Sequence, residues 1–260
     1  MRMNFRRNIA LFLILSGLVA CGGENVREEE IRNKEIGQAE QEFGSSSWPE
    51  RLHAVQTAGK WVNARSQVIL INAINDPHYR VRIEAVKGLS NFRSVQSFET
   101  LKDIAEKEKY LPLRIAAVQS LACFQSPRAA KTFVSLMNND EWMIRESAIA
   151  GLLDIPDKNI EEMSIKYAID ALSDVNESVR IAALSHIRVK EEQIFFILRA
   201  QLADESLYYR PELLKKILKV LIGYKLDVNL RKSVMGLITH PNTEVRTLAY
   251  QCINVSDQMK

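Results

Sequence analysis

Short runs of apolar residues at helical spacing alternate with polar breaks over residues 48–255. The clearest example is an apolar run at residues 68–74 that ends at Asp76 and Pro77 and precedes a second apolar set over residues 81–89. Proline cannot continue a helix and restricts the residue before it, so this break separates two helices. In the second set the apolar positions recur every three or four residues, as in a helix with one buried face. The pattern predicts pairs of short helices and no β-strand, an all-α fold.

The second helix of each predicted pair begins close to an arginine. Seven arginines recur at intervals of 30 to 36 residues, and six of them are followed three residues later by alanine, the exception being Leu213. The seven are Arg51, Arg82, Arg114, Arg145, Arg180, Arg210 and Arg246. A short side chain at this position lets neighbouring helices approach closely. A period of about 30 residues is typical of stacked-repeat proteins, in which each helix pair buries its apolar face against the next.

An aspartate before the second helix, then Val-Arg and an alanine, resembles the signature of HEAT repeats of the short bacterial type also seen in phycobilisome-lyase relatives. Asp76, Val81, Arg82 and Ala85 carry this signature in the second repeat, and the same order recurs along the chain. The resemblance implies an α-solenoid of six to seven stacked helix pairs with a right-handed superhelical twist, which we assign to residues 48–260.

Three repeats depart from this signature. In the sixth, residues 209–211 read Tyr-Arg-Pro and Leu213 stands where a small residue is expected. Glu108 and His240 occupy the aspartate position of the third and seventh repeats. We expect the sixth repeat to bend the stack or to provide a contact surface.

The repeated arginines and aspartates have a structural interpretation. The resemblance implies that they interleave between neighbouring repeats as a ladder, in which a carboxylate accepts helix N-terminal amides and pairs with arginine. An alternative is that the arginines form a charged binding strip. The residues assigned to the ladder are Asp76, Arg82, Asp140, Arg145, Asp174, Arg180, Asp204 and Arg210.

The first twenty residues resemble a bacterial export signal. Arg2, Arg6 and Arg7 precede an apolar run at residues 9–19, which is too short to span a bilayer as a helix. Residues 18–22, Leu-Val-Ala-Cys-Gly, resemble a lipobox, which implies that residues 1–20 are removed and that Cys21 becomes lipidated.

The lipid anchor implies a location at the bacterial cell envelope. Gly22 follows Cys21 where many inner-membrane lipoproteins of Gram-negative bacteria have aspartate, which favours the outer membrane, facing the periplasm, in such an organism. A lipobox protein carries more than one acyl chain, so the membrane association is expected to be stable.

Residues 21–47 are predicted to form the lipidated cysteine and a flexible, charged tether. The alternative is that Ile31, Ile36, Ala39 and Phe43 form one face of a helix that caps the first repeat. Their spacing is nearly helical, but Gly37 interrupts it.

The charge balance argues against a nucleic-acid partner. The chain has 35 Lys and Arg and 32 Asp and Glu, and the three arginines of the export signal account for the difference. A neutral mature chain lacks the net basic field on which nonspecific nucleic-acid binding depends.

Two cysteines remain if Cys21 is lipidated. Cys123 and Cys252 are predicted to lie on the second helices of the third and seventh repeats, too far apart for a disulfide. We therefore expect two free and largely buried thiols.

Enzyme chemistry finds little support in the sequence. His53, His78, His186 and His240 are scattered one per repeat, without metal-ligand spacing. A Gly-rich phosphate loop, a nucleophile elbow and a Cys-x-x-Cys pair are absent from the sequence. We therefore expect no catalytic residues, no cofactor and no metal.

The positions two and five residues after each arginine are predicted to point outward from the second helices and to provide a binding surface for a protein partner. An equally weighted alternative is that they are simply solvated. Aromatic residues at an edge between helices are a second candidate, although core packing is the favoured role for them. The candidate residues are His53, Glu84, Lys87, Gln119, Lys215 and Gln251 on the row, and Trp142, Tyr208 and Tyr209 at the edge.

The sequence thus favours a noncatalytic, lipid-anchored scaffold or adaptor that binds protein partners at the bacterial envelope. The alternative is a HEAT-repeat protein that binds a small ligand or has lyase-like enzymatic activity. A pocket with convergent polar groups would favour the alternative.

Overall fold

The structure is a computed structural model that describes residues 27–187 and 192–259. All regular secondary structure in these residues is helical, as fourteen α-helices and three short 3-10 segments. The all-α prediction is thereby confirmed. The predicted signal peptide and Cys21 lie outside the described residues. Within the described part, no helix combines the length and the apolar character that crossing a membrane requires.

The chain divides into two compact units at Thr100 and Leu101. Helices α1 to α4 belong to the first unit, and α5 begins there. Their bounds are 27–43 for α1, Trp48–Lys60 for α2, Ala64–Ala73 for α3, Tyr79–Leu89 for α4 and Val95–Lys107 for α5.

The second unit contains the remaining helices. They are α6 (Leu111–Leu121), α7 (Pro127–Leu136), α8 (Trp142–Leu153), α9 (Lys158–Leu172), α10 (Glu177–His186), α11 (Glu192–Leu202), α12 (Pro211–Leu221), α13 (Val228–Gly236) and α14 (Thr243–Gln258). The 3-10 segments are Ala122–Phe124, Glu205–Tyr209 and Leu237–Thr239.

The helices follow one another as seven pairs, an odd-numbered helix followed by an even-numbered one. Their starts follow from local sequence. The side chain of Asn63 accepts from the backbone N–H of Ser66 at 3.1 Å and so caps α3. Pro127 and Pro211 open α7 and α12, where the missing N–H of proline costs no hydrogen bond.

In the first unit, α2 packs against α4 through small and β-branched residues. Ala54 and Val55 on α2 and Ala85 and Val86 on α4 are fully buried. The two helices also approach at a pair of glycines: a Cβ added to Gly88 on α4 would lie 3.4 Å from Cα of Gly59 on α2. In this unit the alanine three positions after the arginine therefore lies at the contact between neighbouring helices, as the sequence predicted.

In the second unit, each even-numbered helix contacts the next, from α6 to α14. Ala117, Ala148, Ala183 and Ala249 are fully buried at these contacts, and Leu213 is buried to the same degree at the equivalent position of α12. The periodic alanines thus mark the contact faces of the even-numbered helices.

Residues 27–43 form α1, which corrects the predicted flexible tether for this part of the chain. Ile36 and Ala39 are buried, Phe43 is half-buried, and Ile31 remains exposed. The capping-helix alternative describes this segment better. Packing of one apolar turn offsets the cost of Gly37, because most helical stability in proteins comes from tertiary contacts.

Polar contacts hold α1 on the first unit. Nε1 of Trp61 donates to Glu35 at 2.8 Å, and the Arg65 guanidinium donates to both carboxylate oxygens of Glu40 at 2.8 and 2.6 Å. The partners lie 25 or 26 residues apart in sequence, which a search for local periodicity does not connect.

The two described cysteines are both free, but only one is buried. Cys252 lies on α14, where burial raises the pKa of its thiol to about 12. Cys123 is exposed, which corrects the prediction of two buried thiols. Because α6 ends at Leu121, Cys123 falls in the following 3-10 segment and lies off the buried face of the helix.

Candidate functional site at the sixth helix pair

Arg51 and Arg145 each make a bidentate contact with an aspartate of the next helix pair. In the first unit, Nε and Nη2 of Arg51 donate to the two carboxylate oxygens of Asp76 at 2.6 and 3.0 Å. Nη1 donates to the carbonyls of Ser45 and Ser46, each at 3.0 Å. One guanidinium therefore ties down its own preceding turn and the turn of the next helix pair.

The second unit repeats this geometry between the fourth and fifth pairs. Nε and Nη2 of Arg145 donate to Asp174 at 2.7 and 2.8 Å. Nη1 donates to the carbonyls of Asn139 and Asp140 at 2.8 and 3.0 Å. We call such a bidentate Arg–Asp contact a rung.

The rungs depress the pKa values of their carboxyl groups. The hydrogen bonds from Arg145 hold the pKa of Asp174 below its ordinary value, against the opposing effect of burial. For Asp76, burial is the largest influence and raises the pKa, but Arg51 and the backbone N–H of His78 together bring it below its ordinary value. Both carboxylates are therefore held in the charged form that arginine binds.

The remaining predicted ladder residues behave differently. Nη1 of Arg82 donates to the carbonyls of Asp76 and Pro77 at 2.8 and 3.1 Å, the same anchoring to its own preceding turn. Asp140 contributes its backbone carbonyl, not its carboxylate, to the contact with Arg145. Asp140 lies five residues before Arg145, so the sequence suggested that these two side chains pair. The carboxylate that Arg145 binds is instead that of Asp174, in the following helix pair.

The ladder is interrupted between the fifth and sixth pairs. Nη1 of Arg180 donates to the carbonyls of Asp174 and Val175 at 2.6 and 3.3 Å, as in a rung. Among the described residues no carboxylate takes its Nε and Nη2. Asp204, the aspartate of the sixth pair, is exposed and accepts instead from the backbone N–H of Ser206 at 2.9 Å.

The cause of the interruption lies in the sequence of the sixth repeat. In the second and fifth repeats the second helix starts three residues after the aspartate, at Tyr79 and Glu177, whereas α12 starts only at Pro211. Proline disfavours the helical conformation in the residue before it, and Arg210 has φ −120° and ψ 70°. The residues between Asp204 and Arg210 form a 3-10 segment instead of a first helical turn.

Arg210 consequently has no rung either. Its recorded ionic contact, Nη1 to Oε2 of Glu177, is 3.6 Å long, and both side chains are substantially exposed. The aspartate position of the seventh pair holds His240, which offers no carboxylate to an arginine of the sixth pair. Two successive arginines, Arg180 and Arg210, thus lack the bidentate carboxylate contact.

A cleft of about 460 Å³ opens at the interruption. We call it the arginine cleft. Its lining includes Arg180, Phe196, Gln201, Asp204 and Arg210. Phe196 is 72% exposed. Nε2 of Gln201 donates to the Leu172 carbonyl at 2.7 Å, while its Oε1 is buried without a hydrogen-bond partner.

A second cleft, of about 350 Å³, lies on the other side of the 3-10 segment and shares Asp204 and Leu207 with the first. We call it the tyrosine cleft, after Tyr208 and Tyr209 in its lining. Tyr209 is 83% exposed and Tyr208 is 39% exposed, and their rings meet edge to face with centroids 5.6 Å apart.

Tyr208 is held in place by the seventh pair. The ring of His240 is almost fully buried, lies 4.5 Å from the Tyr208 ring, and donates from Nε2 to the Tyr208 carbonyl at 2.8 Å. Nδ1 of His240 accepts from the backbone N–H of Asn242 at 3.1 Å. His240 therefore has a structural role, and it fixes one tyrosine while leaving the other free in solvent.

The predicted partner-binding residues are distributed over the helix pairs and do not form one site. His53, Lys87, Gln119 and Gln251 are exposed, on α2, α4, α6 and α14, and Glu84 on α4 is half-buried. Only Tyr208 and Tyr209 belong to the clefts of the sixth pair.

Two of the predicted candidates are poorly available for contact. Trp142 is half-buried and packs against the core of the second unit, as the favoured core-packing interpretation holds for it. The side chain of Lys215 is 15% exposed, because it pairs with Glu212 at 2.6 Å and Glu244 at 3.2 Å.

The predicted outward phase also fails at several positions two residues after an arginine. Ala116, Ala182 and Leu248 are buried. Contacts between successive even-numbered helices cover more of each helix than one apolar stripe, so this row is in part an inter-helix surface.

Sequence reasoning missed Phe196 and Gln201. Phe195 and Phe196 are adjacent on α11, and side chains of consecutive helical residues point in different directions, so one can be buried while the other is exposed. Phe195 packs against the core and contacts Tyr224 edge to face at 3.9 Å, which leaves Phe196 outside. The two adjacent phenylalanines could have indicated that one of them is exposed. Nothing in the sequence indicates that Oε1 of Gln201 is buried without a hydrogen-bond partner.

Comparison with known proteins supports the fold. A family model for HEAT repeats matches residues 39–122, a range that begins inside α1. The X-ray structure of YibA from Escherichia coli is similar, with 15% identity, 89% of this chain and 97% of that chain covered, and a TM-score of 0.53. An engineered protein of known crystal structure is 14% identical, with 85% and 68% covered and a TM-score of 0.50.

The complex of CpcE and CpcF of phycocyanin lyase from Nostoc sp. is also similar, with 19% identity, 86% and 94% covered and a TM-score of 0.49. No curated protein sequence matches the chain. The protein is an α-solenoid, and its residues 39–122 match the model for HEAT repeats.

Proposed function

We propose that this protein is a noncatalytic scaffold that binds a protein partner at the sixth helix pair, while a lipid on Cys21 holds it at the bacterial envelope. The observation that carries the proposal is the exposure of Tyr209, 83%, beside a cleft of about 350 Å³. A large aromatic side chain next to a concave surface is typical of interface anchors.

The sixth pair supports this role through its departure from the repeat. Tyr209 and Phe196 are strongly exposed on either side of the interruption, whereas the equivalent turns of the second and fifth pairs are closed by rungs. Exposing large apolar groups costs solvation free energy, which a partner recovers by covering them.

Site-specific photo-crosslinking tests the proposal. A photoreactive phenylalanine analogue at Tyr209 should give a discrete adduct in intact cells, and Tyr208→Ala should abolish it. Val228, at the start of α13, is 84% exposed and serves as the matched control position. Equal adducts at both positions, or none at Tyr209, would refute partner binding at this site.

The envelope location rests on residues 1–22 and has its own test. The lipobox-like sequence supports an anchor at Cys21, and Cys21→Ser should move the protein from the membrane fraction to the soluble fraction. Continued membrane association of the variant refutes the anchor without bearing on the sixth pair.

A second candidate function, binding of a small molecule, is favoured by a cavity of about 190 Å³ at the fifth pair. Its lining includes Ile165, Ala168 and Ile187 together with His186, whose Nδ1 lies 2.9 Å from Oδ1 of Asp154. The lining also contains Asp157, Lys158, Glu161 and Ser164, and pockets that combine apolar walls with polar groups are typical of ligand sites. Thermal-shift screening with small aromatic acids tests this candidate: a hit must lose its effect in Ser164→Leu, a substitution in the cavity wall.

A further inference from the structure

We infer that the arginine cleft binds a carboxylate of an acidic peptide segment of the partner, which takes the place of the missing rung. This inference rests on the proposed partner-binding function and specifies its chemistry. It requires that Arg180 be positioned to bind a carboxylate, that no group of the chain occupy it, and that the rest of the cleft suit a peptide.

The two intact rungs show what these guanidinium groups bind. Arg51 and Arg145 each anchor Nη1 on two carbonyls of the preceding turn and present Nε and Nη2 to both oxygens of one carboxylate, at 2.6 to 3.0 Å. Bidentate pairing of this kind is stronger and more directional than a single hydrogen bond.

Arg180 has the same anchoring without the carboxylate. Its Nη1 donates to the carbonyls five and six residues before it, as in the two rungs. The guanidinium plane is therefore already oriented, and Arg180 belongs to the cleft lining. A ligand that binds a preoriented group avoids much of the entropic cost of ordering a long side chain.

The charges around the cleft leave room for an incoming carboxylate. Asp174 is already neutralised by Arg145 and accepts a further hydrogen bond from the backbone N–H of Asn176 at 2.7 Å. Asp204 is held in its own turn by the Ser206 N–H. Arg210 makes its long contact with Glu177 and also lies near Asp204, so Arg180 is the guanidinium of the lining that is left without a carboxylate partner among the described residues.

The uncharged lining fits a peptide better than a free anion. The buried Oε1 of Gln201 has no donor, and leaving a buried acceptor unpaired costs about 1–3 kcal/mol. Phe196, 72% exposed, offers an apolar surface for a neighbouring side chain. A volume of about 460 Å³ lies within the usual range of ligand sites.

Arginine side-chain NMR on the purified full-length protein tests the inference with synthetic peptides. The probes are Ac-Ala-Phe-Glu-NH₂, its Gln analogue, its phosphoserine analogue, and Ac-Ala-Phe-Ala as a free acid and as an amide. The Glu peptide should shift the Nε–H signal of Arg180 in a saturable way and the Gln peptide should not. Arg145, whose rung is filled, is the internal control and should not respond.

The remaining probes identify the source of the carboxylate. A response to the free acid but not to the amide assigns the site to a chain terminus, and a response to the Glu peptide alone assigns it to an acidic side chain. Tighter binding of the phosphoserine peptide than of either carboxylate overturns the inference, as do equal responses to the Glu and Gln peptides.

Two variants complete the test. Arg180→Lys keeps the charge but loses the planar guanidinium, and it should weaken binding of the Glu peptide at least tenfold while lowering the melting temperature by about 4 °C at most. Gln201→Leu removes the buried acceptor and should retain the charge dependence. If Arg180→Lys binds the Glu peptide like the wild type, the inference is wrong, while persistent crosslinking at Tyr209 in Arg180→Lys leaves the proposed partner binding intact.

Discussion

The contact between the fourth and fifth helix pairs and the contact between the fifth and sixth start from the same residue types and end differently. Arg145 and Asp174 form a bidentate rung, whereas Arg180 and Asp204 do not meet. In both cases an aspartate lies six residues before the next arginine. The Asp and Arg spacing alone therefore does not produce a rung. In both rungs the second helix also starts only three residues after the aspartate.

The difference shows how one altered repeat can leave a neighbouring arginine without the carboxylate that a regular repeat provides. Pro211 delays the start of α12, and Leu213 fills the position where the other repeats have alanine. The altered sixth pair leaves Tyr209 exposed and Arg180 of the fifth pair without a carboxylate in the described part of the chain, while the contacts between even-numbered helices of the second unit continue to α14. A repeat scaffold tolerates this because each pair contacts mainly its neighbours.

The largest expected effect concerns Leu213. Leu213→Ala restores the residue type of the other repeats, but it removes a buried side chain and should lower the free energy of unfolding by about 2–5 kcal/mol. Chemical denaturation monitored by circular dichroism measures the change. A neutral result would mean that the sixth pair has the same helix spacing as its neighbours.

The next effect compares the two arginines directly. Arg145→Ala leaves Asp174 without its bidentate partner in a largely buried position and should cost about 1–3 kcal/mol of unfolding free energy. Arg180→Ala loses only contacts to two carbonyls and should cost about 1 kcal/mol or less. Equal losses in matched denaturation curves would contradict the interruption of the ladder.

The third effect is the pH dependence of the Arg145 rung. Because the folded-state pKa of Asp174 is depressed below its ordinary value of 3.8, the rung stabilises the fold fully above that pH and loses its contribution as the pH falls through the lower folded-state pKa. The difference in unfolding free energy between the wild type and Arg145→Ala should therefore be constant at neutral pH and close in acid. A gap that persists at pH 2 would assign it to packing.

The smallest effect distinguishes the causes of two depressed pKa values. The Ser206 N–H, not an arginine rung, is the main cause of the lowered pKa of Asp204. Carboxyl NMR titration should show that Arg145→Ala raises the pKa of Asp174, while Arg180→Ala leaves that of Asp204 unchanged. A clear rise for Asp204 in Arg180→Ala would indicate a rung that forms in solution.

The regular repeats could be predicted because they depend on local sequence. The alanines three residues after the arginines specify buried contacts, and six of the seven repeats have them. The sixth repeat could be singled out in the same way, since Pro211 and Leu213 violate the pattern within one turn. Both the regular repeats and the deviation in the sixth repeat can therefore be recognised from residues close together in the sequence.

The remaining features depend on residues far apart in the chain. The helical state of residues 27–43 depends on contacts such as Trp61 with Glu35, which no local periodicity reveals. The aspartate that Arg51 or Arg145 binds lies 25 or 29 residues later in the chain. The exposure of Phe196 and the unpaired oxygen of Gln201 arise only when the sixth pair packs.

The most direct test of the interrupted ladder is the exchange rate of the arginine Nε–H groups at neutral pH, without any ligand. The Nε–H of Arg145 donates to Asp174 at 2.7 Å and should exchange slowly with solvent. That of Arg180, with no carboxylate partner among the described residues, should exchange much faster. Equal protection of the two signals would show that the fifth and sixth pairs are joined by a rung and would contradict the account.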